Sequence, residues 1–364
     1  MEVIELFKKL VETKSETPDD GGLLDFIAEY LADFEAIRID VAEVKNLFLY
    51  KKFSRGEHLC FAGHVDVVPA GEGWSTHPYT LVEKDGYLYG RGTQDMKSGL
   101  AAFIQAIKEV ETFKGTLSLL LTSDEEGEGV NGTVKALKYL KEHNLLPDAA
   151  VVAEPTCETE FGDAIKVGRR GSINGYLTLK GKQGHAAYPE KADNPVHKIA
   201  TILPKIAGVD LDDGDAHFAP SKFVVTDIRA GMEVTNVTPN ALKMMFNVRN
   251  NTKTDQKSIK AFVAKHFEGL EYELRLTQGS YPFKTDTDTK IVRQIDTAIY
   301  EITGVRAKHS TAGGTSDARF LAPMGIKVIE FGVKNDTIHA LNERTTQKEV
   351  EDLYRVFKNL IQNY

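Results

Sequence analysis

The stretch Leu59-Cys60-Phe61-Ala62-Gly63-His64-Val65-Asp66-Val67-Val68-Pro69 decides how this chain is interpreted. It begins as a continuous apolar run, which is typical of a strand buried on both faces of a sheet. His64 and Asp66 follow at its carboxyl end, and residues two apart on a strand point to the same face. A carboxylate at that spacing can accept the spare ring N–H of a metal-bound histidine. A buried His–Asp pair with a structural role explains these two residues equally well, since buried polar groups must be paired anyway.

The composition limits the classes to which the protein can belong. The chain has 364 residues, 41% hydrophobic and 27% charged, which predicts a globular protein of two domains. A net charge of −8 without a Lys/Arg-rich block argues against nucleic-acid binding. No signal-peptide pattern or bilayer-spanning apolar run is evident, so we expect no membrane association. Two cysteines without Cys-x-x-Cys spacing favour a reducing cytoplasm.

Strand-like and helical segments alternate over the first half of the chain. A strand is expected over Ile37–Val44, and the buried strands Thr116–Thr122 and Ala149–Ala153 lead into acidic residues. The same texture returns near residue 285. We therefore predict an α/β domain over residues 1–172 and 285–364, with functional groups at the carboxyl ends of its strands, where such sheets bind ligands.

The segment 173–284 has a different pattern. Ile173, Leu177 and Leu179 alternate with polar residues, as in a strand with one solvent-facing side. The segments that follow complete the order β-α-β-β-α-β, which is that of a small two-layer α+β unit. We expect this domain to be inserted in the larger one.

Metal-ligating residue types recur at the ends of strands or at the head of a helix. Zinc takes imidazole and carboxylate ligands, and a catalytic zinc keeps a position open for water. Two metals that share a carboxylate can stabilise both the attacking and the leaving oxygen. Taken alone, His339 would more often be an ordinary surface residue of a polar loop. Together, five residues predict a two-metal site with Asp95 as the bridge: His64, Asp95, Glu126, Glu154 and His339.

Glu125 and Glu126 are adjacent carboxylates in a glycine-rich turn. An exposed charged loop is the ordinary explanation for such a pair, but this one follows a buried strand. We infer that Glu126 binds a metal and that Glu125 is the general base, which takes a proton from water and later passes it to the leaving amine.

His185 lies in a loop after the first strand of the inserted domain, far in sequence from the metal-site residues. A positioned imidazole can stabilise the oxyanion of a tetrahedral intermediate. The candidate catalytic residues are therefore Glu125, Asp66 as the carboxylate that orients His64, and His185.

Four motifs match those of a known family: Gly63 to Pro69, Gly90-Arg91-Gly92 through Asp95-Met96-Lys97, Asp124 to Gly127, and Glu154-Pro155-Thr156. The chain resembles, nearly end to end, the succinyl-diaminopimelate desuccinylases of the dinuclear-zinc aminoacylase and carboxypeptidase superfamily. The resemblance implies a mixed-sheet zinc-peptidase-like catalytic domain and two Zn²⁺ per subunit, replaceable by Co²⁺. It implies the ligand, base and orienting roles given above. It also implies a homodimer formed through the inserted dimerisation and lid domain, in which His185 acts in the partner's active site.

Further segments resemble the desuccinylase pattern and concern the substrate. Arginine offers a bidentate fork to a carboxylate, and the turn Gly313-Gly314-Thr315-Ser316 offers backbone N–H groups to an anion. Each arginine would otherwise form a surface ion pair of little value. The predicted substrate-binding residues are Arg169, Ser172, Asn236, Arg249, Gly314 and Thr315.

The predicted reaction is hydrolysis of N-succinyl-LL-2,6-diaminopimelate to succinate and LL-2,6-diaminopimelate, a step in making lysine and cell-wall precursor. Three alternatives share the metal site: N-acetylornithine deacetylase, aminoacylase, and a dipeptidase or aminopeptidase. A metal-stabilised binding protein without turnover is a hypothesis of a different class. Glu125 argues against it, because a scaffold has no use for a carboxylate that binds no metal.

Overall fold

The computed structural model describes all 364 residues and divides them into two compact units. The first unit contains Met1–Gly168, Lys284–Ser310 and Ser316–Tyr364, and the second contains Arg169–Phe283 and Thr311–Thr315. The second unit begins before residue 173 because Gly171 exchanges main-chain hydrogen bonds with Asn250, at 2.7 and 3.1 Å. The functional roles of the two units stay predictions.

The helices and strands are numbered in chain order. The helices are α1 Val3–Glu12, α2 Leu23–Tyr30, α3 Lys97–Lys108, α4 Thr133–Glu142, α5 Pro195–Ile206, α6 Gln256–His266, α7 Lys290–Thr303, α8 Ala318–Leu321 and α9 Gln347–Asn363. The strands are β1 Glu35–Arg38, β2 Asn46–Lys52, β3 Glu57–His64, β4 Val82–Lys84, β5 Tyr87–Tyr89, β6 Gly115–Thr122, β7 Ala149–Val152, β8 Ala164–Lys166, β9 Gly168–Arg169, β10 Ser172–Lys180, β11 Gly184–His185, β12 Lys222–Ala230, β13 Val237–Thr238, β14 Ala241–Arg249, β15 Tyr272–Ser280, β16 Phe283–Lys284, β17 Lys308–Ser310, β18 Lys327–Glu330 and β19 Arg344–Thr345.

An eight-stranded sheet forms the centre of the first unit, in the order β1-β2-β6-β3-β7-β18-β8-β17. Strands β6, β3, β7 and β18 run parallel, and β2 joins β6 antiparallel. The central strands are apolar on both faces because both faces are covered, as expected of parallel strands. The predicted α/β class with a mixed sheet is confirmed.

Aromatic side chains join the helices to this sheet. Phe61 on β3 lies 5.6 Å from Phe103 on α3 and 5.3 Å from Phe357 on α9, measured between ring centroids. Such contacts add to the free energy gained by burying the rings. They fix α3, and with it the loop that precedes α3, against the central strand. No helix of the structure combines the length and apolarity needed to cross a membrane.

The strand expected over Ile37–Val44 ends early. Strand β1 stops at Arg38, because the Asp40 carboxylate accepts the main-chain N–H of Asn46 at 3.0 Å and starts a tight turn. Ala42 in that turn has a φ of 55°, which no strand permits. The apolar pattern alone did not reveal this local competition.

The second unit is built on a four-stranded antiparallel sheet in the order β12-β14-β10-β15. Alternate residues of β10 and β14 are buried, among them Leu177 and Met244, and they share a core with Ile199 of α5 and Val263 of α6. A short ribbon pairs β11 with β13. This unit therefore has a hydrophobic core of its own.

Candidate active site

Each predicted metal ligand lies at the end of a strand or in the loop that follows one. His64 is the last residue of β3, Asp95 lies two residues before α3, and Glu126 follows β6. Glu154 follows β7, and His339 lies between β18 and β19. Because β3, β6, β7 and β18 are parallel neighbours, their carboxyl ends lie at one edge of the sheet.

Asp95 lies between two imidazoles. Its Oδ1 atom is 3.2 Å from Nε2 of His64, and its Oδ2 atom is 3.4 Å from Nε2 of His339. The two oxygens of one carboxylate therefore face two different histidines. This is the arrangement expected of a bridging carboxylate.

A further carboxylate lies beside each imidazole. Glu154 Oε1 is 3.6 Å from His64 Nε2, and Glu126 Oε1 is 2.9 Å from His339 Nε2. The structure thus brings all five predicted ligands together as two donor sets that share Asp95. We call His64, Asp95 and Glu154 the first donor set, and Asp95, Glu126 and His339 the second donor set.

Carboxylates lie close together in this cluster, and their charges shift the pKa values of its members. Hydrogen bonds with Asp95 and Glu126 raise the pKa of His339 to about 10. Burial would raise the pKa of Asp95, but His339 and His64 outweigh it and hold that pKa below the usual range. Burial and then the Asp95 charge raise the pKa of Glu154. Negative charge therefore exceeds what two imidazoles can balance.

The donor set fits divalent cations. Imidazole nitrogen and carboxylate oxygen are the ligand types of zinc, and each donor set supplies one imidazole and two carboxylates, with Asp95 shared. Three protein ligands per metal leave room for water or substrate. Two bound cations would also neutralise the excess negative charge.

Glu125 also reaches this cluster. One of its carboxylate oxygens lies within 4.8 Å of ligand atoms of both His64 and Glu154. Burial, together with neighbouring carboxylates and against the charge of His64, raises the pKa of Glu125 to about 8. Glu125 is adjacent to the metal-type ligands, and its raised pKa suits a group that must both accept and donate a proton near neutral pH.

Asp66 contacts His64 mainly through its main chain. His64 Nδ1 is 2.9 Å from the carbonyl oxygen of Asp66 and 3.6 Å from its carboxylate Oδ1. Asp66 Oδ2 accepts the main-chain N–H of Glu126 at 3.1 Å. Burial raises the pKa of Asp66 to about 6. Asp66 thus links the His64 strand to the Glu126 loop, and a carbonyl fixes the ring tautomer that leaves Nε2 free.

Sequence reasoning missed Arg91 and Glu343, which it quoted only as neighbours of the ligands. Both are buried, and Arg91 Nη1 lies 2.9 Å from Glu343 Oε2. The available signal for Arg91 was its position between two glycines, four residues before Asp95; nothing in the sequence marked Glu343 as its partner.

The predicted residues of the second unit fall into three sets. The strand that ends in His185 pairs with β13, and the Ala186 N–H donates to the Asn236 carbonyl at 2.9 Å, so His185 and Asn236 are neighbours. Both side chains are exposed. Elsewhere in the unit, Arg169 Nη1 donates to Ala312 O at 3.2 Å, which places this guanidinium beside the turn that contains Gly314 and Thr315.

Ser172 and Arg249 lie at the same end of the small sheet. Ser172 Oγ accepts from Asn247 Nδ2 at 2.9 Å, and Asn247 lies two residues before Arg249 on β14. Burial and then the neighbouring Arg170 lower the pKa of Arg249. Two guanidinium groups close together, neither of them paired with a carboxylate, suit the binding of an anion.

Comparison with known proteins shows the family to which the chain belongs. The model of peptidase family M20/M25/M40 matches residues 60–363. Succinyl-diaminopimelate desuccinylase of Sulfurimonas denitrificans is 71% identical over 364 residues, covering 100% of both chains. The enzyme of that name from a Nitratiruptor species is 65% identical, also over 100% of both chains.

Two solved structures share the fold. Aminopeptidase PepT of Bacillus cereus superposes with a TM-score of 0.80 at 21% identity, covering 99% of this chain and 97% of its own. The Bacillus subtilis YXEP protein, described as a dinuclear metal binding peptidase from the M20 family, superposes with a TM-score of 0.72 at 15% identity, covering 99% and 96%. The fold, the family match and the full-length relatives agree. The chain belongs to peptidase family M20/M25/M40.

Proposed function

We propose that this protein is a metal-dependent amide hydrolase that cleaves N-succinyl-LL-2,6-diaminopimelate to succinate and LL-2,6-diaminopimelate. The observation that carries the chemistry is Asp95, whose two carboxylate oxygens face His64 and His339 at 3.2 and 3.4 Å. The choice of substrate rests on relatives of that activity at 65–71% identity over the whole chain. The reaction belongs to lysine and diaminopimelate biosynthesis, and we expect it in the cytoplasm.

The two donor sets would hold two Zn²⁺ ions, with Co²⁺ as an acceptable substitute. His64 and Glu154 would complete one site, Glu126 and His339 the other, and Asp95 would bridge them. Bound there, the cations supply Lewis acidity toward the amide carbonyl and toward water. The protein contributes the positions of the ligands, which α3 and the central strands fix.

Glu125 would move the proton. Its carboxylate takes a proton from the attacking water and delivers it to the leaving amine, so that the C–N bond breaks as the nitrogen is protonated. Burial raises the pKa of Glu125 to about 8 in the absence of metal, and the charge of bound cations would lower it toward neutral pH, where the carboxyl group can both accept and donate a proton. Asp66 would hold His64 through its carbonyl oxygen and hold the Glu126 loop through its carboxylate.

Residues of the second unit would recognise the substrate and stabilise the oxyanion. Arg249, exposed and without a carboxylate partner, would bind a substrate carboxylate as a bidentate fork. Arg169, Ser172, Asn236, Gly314 and Thr315 would contribute the remaining polar contacts. His185 would donate to the developing oxyanion, in the partner's active site if the chain forms the homodimer that we propose.

The test is the release of free amine from N-succinyl-LL-diaminopimelate, N-acetylornithine, N-acetylmethionine and a dipeptide, each with and without chelator. We expect chelator-sensitive turnover of the succinyl compound alone. Preference for another compound would support metal-dependent hydrolysis but would show that the proposed succinyl substrate is wrong. Turnover of none would favour a metal-stabilised binding protein.

Glu125→Gln separates the hydrolase from that binding protein. We expect at least a 100-fold loss of kcat with unchanged metal content, since general acid–base catalysis contributes about 10² to 10⁴. Glu128→Gln is the matched control, because Glu128 lies in the same turn and is exposed. Retained activity in Glu125→Gln would remove Glu125 as the base.

A further inference from the structure

We infer that Arg91 and Glu343 are positioning residues, which lock the Asp95 loop to the His339 loop and so set the distance between the two donor sets. Here the Asp95 loop is residues 90–96, and the His339 loop is residues 335–343. The inference rests on the proposed metal-dependent hydrolysis and adds residues that supply no donor atom to the metal site.

Glu343 is fully buried, and its carboxylate organises the Asp95 loop. Its Oε1 atom accepts the main-chain N–H groups of Gln94 at 2.7 Å and Asp95 at 3.0 Å. Its Oε2 atom accepts the N–H of Gly92 at 2.8 Å and Arg91 Nη1 at 2.9 Å. One carboxylate from the far end of the chain therefore holds three main-chain N–H groups of the Asp95 loop, including that of the bridging ligand itself.

Arg91 makes the reciprocal connection. Its side chain is buried, and Nη1 also donates to the carbonyl oxygen of Ala340 at 3.2 Å, the residue after the ligand His339. Its Nη2 atom donates to Ala70 O at 3.3 Å, and the guanidinium lies 5.1 Å from the ring centroid of Trp74. The planar fork of arginine allows these contacts at once, which a lysine ammonium could not reproduce.

Gln94 adds a second link between the same two loops. Its Nε2 atom donates to Asp336 Oδ1 at 2.6 Å, and its Oε1 atom accepts the Thr337 N–H at 2.9 Å. His339 itself has a φ of 58°, a left-handed conformation that a side-chain-bearing residue keeps only when its surroundings impose it. The links from Arg91 and Gln94 flank this residue on both sides.

A buried ion pair is weak grounds for stability, since apolar side chains often replace one without loss. The better-supported role of a buried ion pair is to favour one conformation of the chain over competing conformations. Here the groups that it joins are the main chains on either side of two metal-type ligands. Outer contacts of this kind typically change metal affinity or activity by about 10- to 100-fold when they are removed.

Glu343→Gln is the main test, with the metal dissociation constants and the kcat per folded protein as readouts. In the glutamine, an NH₂ group replaces one of the two carboxylate oxygens. If it replaces Oε2, it cannot accept the hydrogen bonds that Arg91 and Gly92 donate to that oxygen. We expect weaker binding of the second metal and a kcat about 10- to 100-fold lower, with KM within about threefold of wild type. Excess metal should restore occupancy but only part of kcat.

The matched control is Glu349→Gln. Glu349 is a similarly buried carboxylate of the same unit, and it contacts Thr345 and Lys334 rather than the ligand loops. If Glu343 only stabilises the fold, both variants should lose the same amount of melting temperature. In that case each variant should also keep the kcat and the metal affinity of wild type. Equal behaviour of this kind would overturn the inference.

Two further variants keep the test decisive. If Glu343→Gln does not fold, Arg91→Lys replaces it, because the ammonium keeps the charge but cannot make the contacts of the arginine fork. We expect a smaller loss of metal affinity and kcat in Arg91→Lys, and wild-type values of both would overturn the inference. Arg91→Gln combined with Glu343→Gln should recover part of the loss, because the two amides can pair. If wild type turns over no compound, the proposed function fails, and the metal titrations still test the positioning.

Discussion

His339 Nε2 lies 2.9 Å from Glu126 Oε1, although 213 positions separate the two residues in the chain. The imidazole comes from the loop between β18 and β19, and the carboxylate from the turn after β6. The contact exists because the central sheet brings the ends of distant strands to one edge. It defines the second donor set.

Replacing His339 should remove one metal and leave the other. His339 contacts Asp95 and Glu126 and has no contact with the first donor set other than Asp95. We expect His339→Ala to bind close to one zinc per chain, against two for wild type, and to lose most of its turnover. Elemental analysis after dialysis measures this. His143→Ala, which changes an exposed histidine, serves as control; two firmly bound metals in His339→Ala would contradict the ligand assignment.

Arg249 should determine affinity for the succinyl substrate. Loss of a charge-assisted hydrogen-bond pair costs about 1.5 to 3 kcal/mol, so we expect Arg249→Met to lower kcat/KM about 10- to 100-fold. Metal content should not change, since Arg249 is not one of the predicted ligands. Steady-state kinetics on the succinyl compound provide the measurement. Arg229→Met is the control, because that side chain is 81% exposed on β12 of the same unit; an equal effect in both variants would point to general charge rather than recognition.

The chelated protein should lose stability as pH rises from about 6 to 9. Folding raises the pKa of Glu125 from 4.5 to about 8 and that of His339 from 6.5 to about 10. Over this range the folded chain therefore binds more protons than the unfolded chain, and the free energy of unfolding falls as pH increases. Asp95, whose pKa is lowered, acts in the opposite direction only in acid. Burial lowers the pKa of Lys97 to about 7, which opposes the slope above pH 7, but the raised pKa values of His64 and Glu154 outweigh this single group.

Zinc should flatten that slope, because coordination displaces the proton of His339 and the cation charge lowers the pKa of the neighbouring Glu125. Thermal unfolding at several pH values, with chelator and with saturating zinc, checks the prediction. A melting temperature of the chelated protein that rises between pH 6 and pH 9 would show that other groups control its stability.

Mixing two inactive variants should restore activity if His185 acts on the partner subunit. In a mixed dimer of Glu125→Gln and His185→Ala, one active site would contain both an intact Glu125 and an intact His185. Random exchange should then yield about a quarter of wild-type turnover. The measurement is amine release after subunit exchange, with exchange verified by mass tagging. Verified exchange without recovery would place His185 on its own subunit or outside the reaction.

The positions of the metal-type ligands were predictable from local patterns. Buried strands are recognisable as apolar runs, and their ends fix where polar side chains can emerge, so His64, Glu126 and Glu154 could be named from their neighbours in sequence. His339 has a weaker signal of its own, because a histidine in a polar loop is more often a surface residue; it became a candidate only together with the other four residues. The strand expected beyond Arg38 was wrong, because the Asp40 side chain competes locally for the main chain.

The sequence by itself determined the α/β class, the order of the elements and the residue types available for the site, because these depend on periodicity and on neighbouring residues. Only the tertiary structure decided that Asp95 faces two histidines, that Asp66 holds His64 through its carbonyl oxygen, and that Glu343 holds the Asp95 loop across 248 positions. These contacts join residues that are distant in the chain, and no local pattern encodes a distance between them. Their geometry follows from the packing of the whole sheet and its helices.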